Sequence, residues 1–158
     1  MRRTPRSLAR PLTLAASALL LAGCPSLSLH PPQDFVLLEP SRGYTLRATN
    51  AEGVVLAVRE LDNDPQGTLT FWSNAVGGRL RALRGYVPMG EEPVTAASGQ
   101  TGRRLSFTRA EGEQPYAYGV SVFVIDDRVV VVEEGGRLDD VQRSREALDL
   151  ALGSLRLE

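Results

Sequence analysis

Tyr116-Ala117-Tyr118-Gly119-Val120-Ser121-Val122-Phe123-Val124-Ile125, followed by Asp126-Asp127, Arg128 and Val129-Val130-Val131-Val132, is the stretch on which the fold turns. Its first ten residues place Tyr116, Tyr118, Val120, Val122 and Val124 on one face of a strand and Ala117, Gly119, Phe123 and Ile125 on the other. Both faces are apolar enough to be covered. The aspartate pair is short and polar, so it closes a hairpin, and four consecutive valines predict a returning strand buried on both sides. A sheet of this kind needs a layer above it and a layer below.

The rest of the chain supplies those layers. Leu69, Trp72, Val76, Leu80 and Leu83 recur at three- and four-residue spacing and predict a middle helix, entered through an acidic cap and a proline at Asp62-Asn63-Asp64-Pro65. Gly77 and Gly78 each weaken that helix by about 1 kcal/mol relative to alanine, which marks its middle as a place for a kink. A second helix is expected from Asp139 to Leu152, with acids at its positive end, Gly153 as its stop, and Val141, Leu148, Leu152 and Leu155 on its apolar side. Tyr44 to Thr49 and Val54 to Leu61 read as a hairpin turned by Asn50-Ala51-Glu52-Gly53. Val94 to Ala97, after an interruption at Glu91-Glu92-Pro93, and Leu105 to Arg109 read as further strands. The expected fold class is α/β: an α/β/α sandwich with a mainly antiparallel sheet flanked by helices. A one-sided α+β sheet is the alternative.

The N-terminus carries a different kind of signal. Arg2, Arg3, Arg6 and Arg10 precede an apolar run, Leu12 to Leu21, too short to be a permanent membrane span, and Leu21-Ala22-Gly23 leads directly to Cys24, the only cysteine. This resembles the lipobox of bacterial lipoproteins, which implies cleavage between Gly23 and Cys24 and acylation of Cys24, with diacylglyceryl and palmitate-type chains as a membrane anchor. Arg2-Arg3 is followed by Thr4-Pro5-Arg6 rather than by apolar residues, which favours ordinary export over a twin-arginine route. Pro25 stands where an aspartate commonly retains lipoproteins in the inner membrane, so the expected location is the outer membrane, facing the periplasm, with the inner membrane as the alternative. The expected organisation is a signal peptide over 1–23, a lipidated tether and lead-in over 24–40, and one domain over 41–158.

Gly102-Arg103-Arg104 at a strand entry, the long Tyr116 to Ile125 strand, the Asp126-Asp127 hairpin, Val129 to Val132, and a terminal helix closing on Gly153-Ser154-Leu155 together resemble the PsbP-like superfamily. That group includes bacterial envelope lipoproteins of the DcrB and LpqN type. The resemblance implies the sandwich fold over roughly residues 35 to 158 and a scaffold that binds partners rather than catalyses. It rests on element order, so it transfers no individual site residue.

Composition narrows the chemistry. All 18 basic residues are arginine, four of them in the signal, so the remaining 14 face 19 acids and the processed chain carries a net charge near −5. Nucleic acid is not an expected partner. With Cys24 committed to lipid, no disulfide staples the domain and no thiol nucleophile remains. His30, the only histidine, lies ahead of the domain, so neither a catalytic triad nor a zinc site can be assembled. Asp62-Asn63-Asp64-Pro65-Gln66-Gly67 opens like a calcium loop but reaches Ser73 at the twelfth position, where a bidentate glutamate is needed, so a helix-capping turn is the simpler reading. The pairs Glu91-Glu92, Asp126-Asp127, Glu133-Glu134 and Asp139-Asp140 are adjacent in sequence, and adjacent strand residues face opposite sides, which does not make a hydrolase dyad.

No cofactor and no metal is expected. Arg79, Arg81 and Arg84 on the middle helix, with Arg103 and Arg104 and the nearby Arg109, are the candidate binding residues, a positive patch for an acidic partner or anionic lipid. Trp72, Tyr116 and Tyr118 suit the core, with one of them available to line a groove. The functional expectation is a lipid-anchored, non-catalytic binding or assembly accessory of an envelope complex serving motility, secretion or transport. A small-ligand or lipid carrier and a carboxylate hydrolase are the alternatives.

Overall fold

The computed structural model describes residues 27–83, 85–112 and 114–158. In chain order the elements are β1 (Leu27–Ser28), β2 (Val36–Leu37), β3 (Leu46–Thr49), β4 (Val55–Asp62), α1 (Leu69–Ala82), β5 (Tyr86–Thr95), β6 (Thr101–Glu111), β7 (Gln114–Ile125), β8 (Arg128–Arg137), α2 (Leu138–Arg143), α3 (Arg145–Gly153) and β9 (Arg156–Leu157). Seven strands form one antiparallel sheet in the order β2-β3-β4-β8-β7-β6-β5, and β1 pairs with β9 in a separate ribbon. The four valines of β8 lie at the centre and alternate between two cores, as a strand covered on both sides must. Val129 and Val131 meet Leu80 of α1 with Leu105, Phe107, Val120 and Val122, while Val130 and Val132 meet Phe123, Leu56, Val58 and the helical residues Val141, Leu148 and Leu152. The molecule is the expected α/β/α sandwich, with α1 on one face and α2, α3 and the β1–β9 ribbon on the other.

Several elements differ from the sequence reading for identifiable reasons. The terminal helix is divided at Ser144, whose φ of −87° and ψ of 1° interrupt the helical path between α2 and α3. The Asn50 side chain donates to Ser144 Oγ at 3.4 Å and its Oδ1 accepts from the Val54 N–H at 2.9 Å, so one residue ties this break to the β3–β4 turn. Asn50 thus acts through its side chain rather than through a left-handed backbone; the positive φ in that turn belongs to Gly53, at 81°.

β5 runs unbroken through Glu91-Glu92-Pro93, with a register shift between Pro88 and Gly90. It is an edge strand, where prolines and charges are tolerated because one row of backbone groups faces solvent. α1 is capped by Thr68, whose Oγ1 accepts from the Phe71 N–H at 3.2 Å, and not by the Asp62 to Pro65 acids. It continues through Gly77 and Gly78, and Leu83, expected on its apolar side, is exposed.

Asn63 has a different task. Buried at the entry to α1, it accepts at Oδ1 from the Gly67 N–H (2.8 Å) and Trp72 Nε1 (2.7 Å) and donates from Nδ2 to the Asp126 carbonyl (2.9 Å). Asp126 itself turns the β7–β8 hairpin with φ of 47°, a conformation aspartate adopts more readily than bulkier residues.

From Leu27 onward, the stretch read as tether and lead-in is folded. Leu27, Leu29 and Phe35 are buried in the core on the α3 side, and β1 pairs Leu27 with Leu157. The ribbon is tied down by Ala97 N–H to the Leu155 carbonyl (2.7 Å), Leu157 N–H to Ser98 Oγ (2.9 Å) and His30 N–H to Ser154 Oγ (3.0 Å).

Candidate functional site

The arginines singled out from the sequence do not form one patch. Arg79 and Arg81 are exposed in the last turn of α1. Arg103 projects to that same side of the sheet and sits 3.8 Å from Glu91. Arg104, the next residue along β6, must point the opposite way, and there it is 6% exposed. Arg84 and the Gly23-Cys24 junction lie outside the described residues.

Arg104 is the centre of an ionic cluster under α3. Its Nη1 lies 2.7 Å from Asp149 Oδ1 and 3.3 Å from Glu92 Oε1, and its Nη2 lies 3.3 Å from Glu134 Oε2. Arg145 joins the same group, 2.7 Å from Glu134 Oε1 and 3.4 Å from Asp149. Burial opposes the charge on Arg104, but Glu134 and Asp149 outweigh it and hold the guanidinium pKa above its ordinary value. Gly119, opposite Glu134 in the ladder, makes room for this cluster: a Cβ there would stand 2.5 Å from Glu134 Oε1. The cluster clamps α3 to the sheet. Carboxylates occupy both Nη1 and Nη2 of Arg104, while its buried Nε has no partner among the described residues, so the cluster offers little to an incoming anion.

A second cluster lies on the α1 face, in the part of the sheet that α1 leaves open. α1 crosses β5, β6 and β7. Beyond it, strand alternation brings up Arg47, Ala57, Arg59, Glu133, Gly135, Tyr118, Tyr116 and Arg109. Arg59 Nη2 pairs with Glu133 Oε2 at 2.5 Å and donates to the Tyr44 hydroxyl at 2.8 Å, and the Tyr118 hydroxyl donates to Glu133 Oε1 at 2.7 Å. The guanidiniums of Arg59 and Arg47 lie 4.6 and 5.4 Å from the Tyr44 ring centre, and that of Arg109 lies 5.7 Å from the ring of Tyr86. Tyr86 in turn packs edge-on against Tyr118 at 5.6 Å.

All four tyrosines of the chain, Tyr44, Tyr86, Tyr116 and Tyr118, therefore gather on this one surface. Two shallow hollows share the Tyr118 ring. One, of about 160 Å³, is lined by Tyr44, Arg47, Tyr118, Glu133 and Gly135; the other, of about 100 Å³, by Tyr86, Arg109, Tyr116, Tyr118 and Gly135. Gly135 sets the depth, since a Cβ at that position would come within 3.2 Å of the Tyr118 ring.

The polar groups of this face are engaged with one another. Burial, followed by the hydrogen bond to Glu133, pushes the Tyr118 phenol well above the ordinary tyrosine range, so it remains a neutral donor. Glu133 is engaged by Arg59 and Tyr118 and is not a free base. Among the described residues no group of three or more His, Cys, Asp or Glu is arranged to hold a metal ion, and no helix is long and apolar enough to cross a membrane.

The sequence reading names Tyr116, Tyr118 and Arg109 as possible binding residues, Glu133 only within a carboxylate pair and Tyr44 only as a strand start, and it does not single out Arg47, Arg59 or Tyr86. The available signal was alternation: Tyr116 and Tyr118 share a strand face, and so do Arg47 and Thr49. What joins them is a register linking strands distant in sequence.

No protein-family model and no curated protein sequence matches the chain. Solved structures do match its fold. LpqN of Mycobacterium tuberculosis, described as involved in cell envelope biogenesis, superposes with a TM-score of 0.68 at 17% identity, covering 86% of this chain and 87% of that one. The cyanobacterial PsbP of Synechocystis gives 0.56 at 15% identity over 94% and 100% of the two chains. The Saccharomyces cerevisiae Ran-binding protein Mog1p gives 0.58 at 12% identity over 84% and 90%. At these identities the likeness is one of architecture, and by architecture this chain carries the PsbP- and LpqN-like fold.

Proposed function

We propose that the protein is a lipid-anchored, non-catalytic binding accessory of the cell envelope, held at the outer membrane on its periplasmic side. The carrying observation is the separation between anchor and fold. Cys24 follows Leu21-Ala22-Gly23, and Leu27 is already buried in the domain core. Three residue steps span at most about 10 Å, so acylation of Cys24 would hold the domain against the lipid headgroups rather than on a long leash. Confinement of that kind raises the effective concentration of a weak binding surface toward neighbours in the same membrane. The architecture shared with LpqN, a protein involved in cell envelope biogenesis, and with the Ran-binding protein Mog1p supports both the envelope setting and a binding role.

The carrier reading is less well supported. Hollows of about 160 and 100 Å³, and a groove of about 270 Å³ beside Arg104, fall below the size usual for sites that enclose a small molecule. The test has two arms. Metabolic labelling with a palmitate analogue is expected to mark the parent and not Cys24→Ala, with the parent in the outer-membrane fraction; label on the variant would overturn the anchor. Cross-linking in intact cells is expected to give a discrete heavier adduct that the unanchored variant loses, and the absence of any adduct would count against the binding role.

A further inference from the structure

The tyrosine–arginine face has a composition and charge that specify its partner more closely, and the argument rests on the binding reading above. Around the two hollows the described side chains present three guanidiniums, Arg47, Arg59 and Arg109, against one carboxylate, Glu133. Glu134 directs its carboxylate to the opposite side of the sheet, where Arg104 and Arg145 hold it. Arg59 and Glu133 neutralise one another. Arg47 and Arg109 form no ion pair among the described residues, and each rests against a tyrosine ring.

This local positive excess stands on a chain whose processed part is near −5 overall, so it is a feature of the face and not of the protein's average. Tyrosine and arginine are among the residue types that most often anchor protein interfaces, the first through a rigid amphipathic ring and the second through its planar fork of donors.

We infer that this face docks an acidic polypeptide segment of a partner protein. Arg47 on β3 and Arg109 on β6 are four strand spacings apart across the sheet, and the ladder offsets them by four residues along it. With about 4.8 Å between strands and 3.3 Å per residue, the two positions are separated by roughly 23 Å, the length of about seven extended residues. A segment with carboxylates at both ends and apolar residues between them matches the layout: a guanidinium at each end and the Tyr118 ring, with its two side-chain-sized hollows, in the middle. A bilayer surface matches less well, because the middle of the face holds a carboxylate and two concavities rather than a flat cationic plane.

The probe is a fluorescein-labelled octapeptide with glutamates at both ends flanking leucines, compared with its glutamine and lysine counterparts. Binding to the full chain in mild detergent is followed by fluorescence anisotropy. The glutamate peptide is expected to bind, the other two not, and added salt to weaken the complex. The pair Arg47→Glu with Arg109→Glu is expected to weaken binding by about tenfold or more, and so is Tyr116→Ala, a ring 37% exposed and free of structural hydrogen bonds among the described residues. The pair Arg79→Glu with Arg81→Glu, on α1, is expected to stay within about twofold. Any of four results overturns the assignment: no binding by the parent, equal binding of the glutamine peptide, indifference to the Arg47 and Arg109 reversal, or displacement of the peptide by phosphatidylglycerol micelles, which would transfer the face to anionic lipid. Failure here with palmitate labelling and cross-linking intact removes the partner chemistry and leaves the envelope-binding reading in place.

Discussion

Replacing Asn63 with alanine probes the joint between α1 and the central hairpin. The side chain is 6% exposed and makes three hydrogen bonds: two accepted by Oδ1, from the Gly67 N–H and Trp72 Nε1, and one donated to the Asp126 carbonyl. Alanine leaves all three partners without Asn63 in a part-buried site. At about 1 kcal/mol for each bond lost, the expected destabilisation is about 3 kcal/mol, a large fraction of the roughly 5–15 kcal/mol that holds a typical domain together. With a urea dependence of about 2 kcal/mol per molar, the unfolding midpoint should fall by roughly 1.5 M. Trp72 is the only tryptophan, so its fluorescence reports the joint itself while far-UV circular dichroism reports the sheet. Trp72→Phe removes one donor and leaves Asn63 the Gly67 N–H, so it should cost about 1 kcal/mol in hydrogen bonding, and the double variant should show coupling of similar size. A loss below about 1 kcal/mol for Asn63→Ala would refute the reasoning, because the three bonds would then be matched by water in the variant.

Three further outcomes are expected. Glu134→Gln removes the charge shared by Arg104 and Arg145 under α3 and should cost about 3 kcal/mol in calorimetry, whereas Glu92→Gln, at the exposed rim of the same cluster, should change stability by less than about 0.5 kcal/mol. Gly102→Ala should lower stability by about 1–3 kcal/mol in thermal melts, since its Cβ would stand 2.6 Å from the Phe123 ring and 2.7 Å from the Val122 carbonyl. Tyr118 should ionise above the ordinary tyrosine range in an ultraviolet titration. Its folded pKa lies above the unfolded value of about 10, so its contribution to stability is complete below pH 10 and is lost as the pH climbs from there. Tyr118→Phe should remove that part of the alkaline destabilisation, and an unchanged alkaline limb would argue against it.

The layers of this fold were legible because their signals are local. Four valines in a row at β8 and the two apolar faces of β7 require cover on both sides, and the periodic stretches that became α1, α2 and α3 provide it. The break at Ser144 was not legible, because the residue that contacts it, Asn50, is 94 positions away. Arg104 was misplaced for the same reason. Arginine defaults to the surface, and only the arrival of Glu134 and Asp149 from later elements makes its burial affordable. The tyrosine–arginine face depends on β3, β4, β8, β7 and β6 lying side by side, an order that periodicity cannot supply. The Cys24 signal is the converse case, readable in sequence and lying outside the described residues.

Pairing of β1 with β9 brings the first and last strands of the described residues together at one corner of the domain, and this has a mechanical meaning. If Cys24 is fixed in a bilayer, any pull on the domain reaches it first through the two-residue ribbon that joins Leu27 to Leu157 and Ser28 to Arg156. Those rungs bear load before the seven-stranded sheet does. Peeling the chain back as far as Phe35, past the buried Leu29 and the His30–Ser154 hydrogen bond, would release about eight residues and extend the connection by roughly 27 Å. With Cys24 so fixed, the lead-in would act as a fuse between membrane and fold: short at rest, longer under tension, with the sheet and its tyrosine–arginine face left intact.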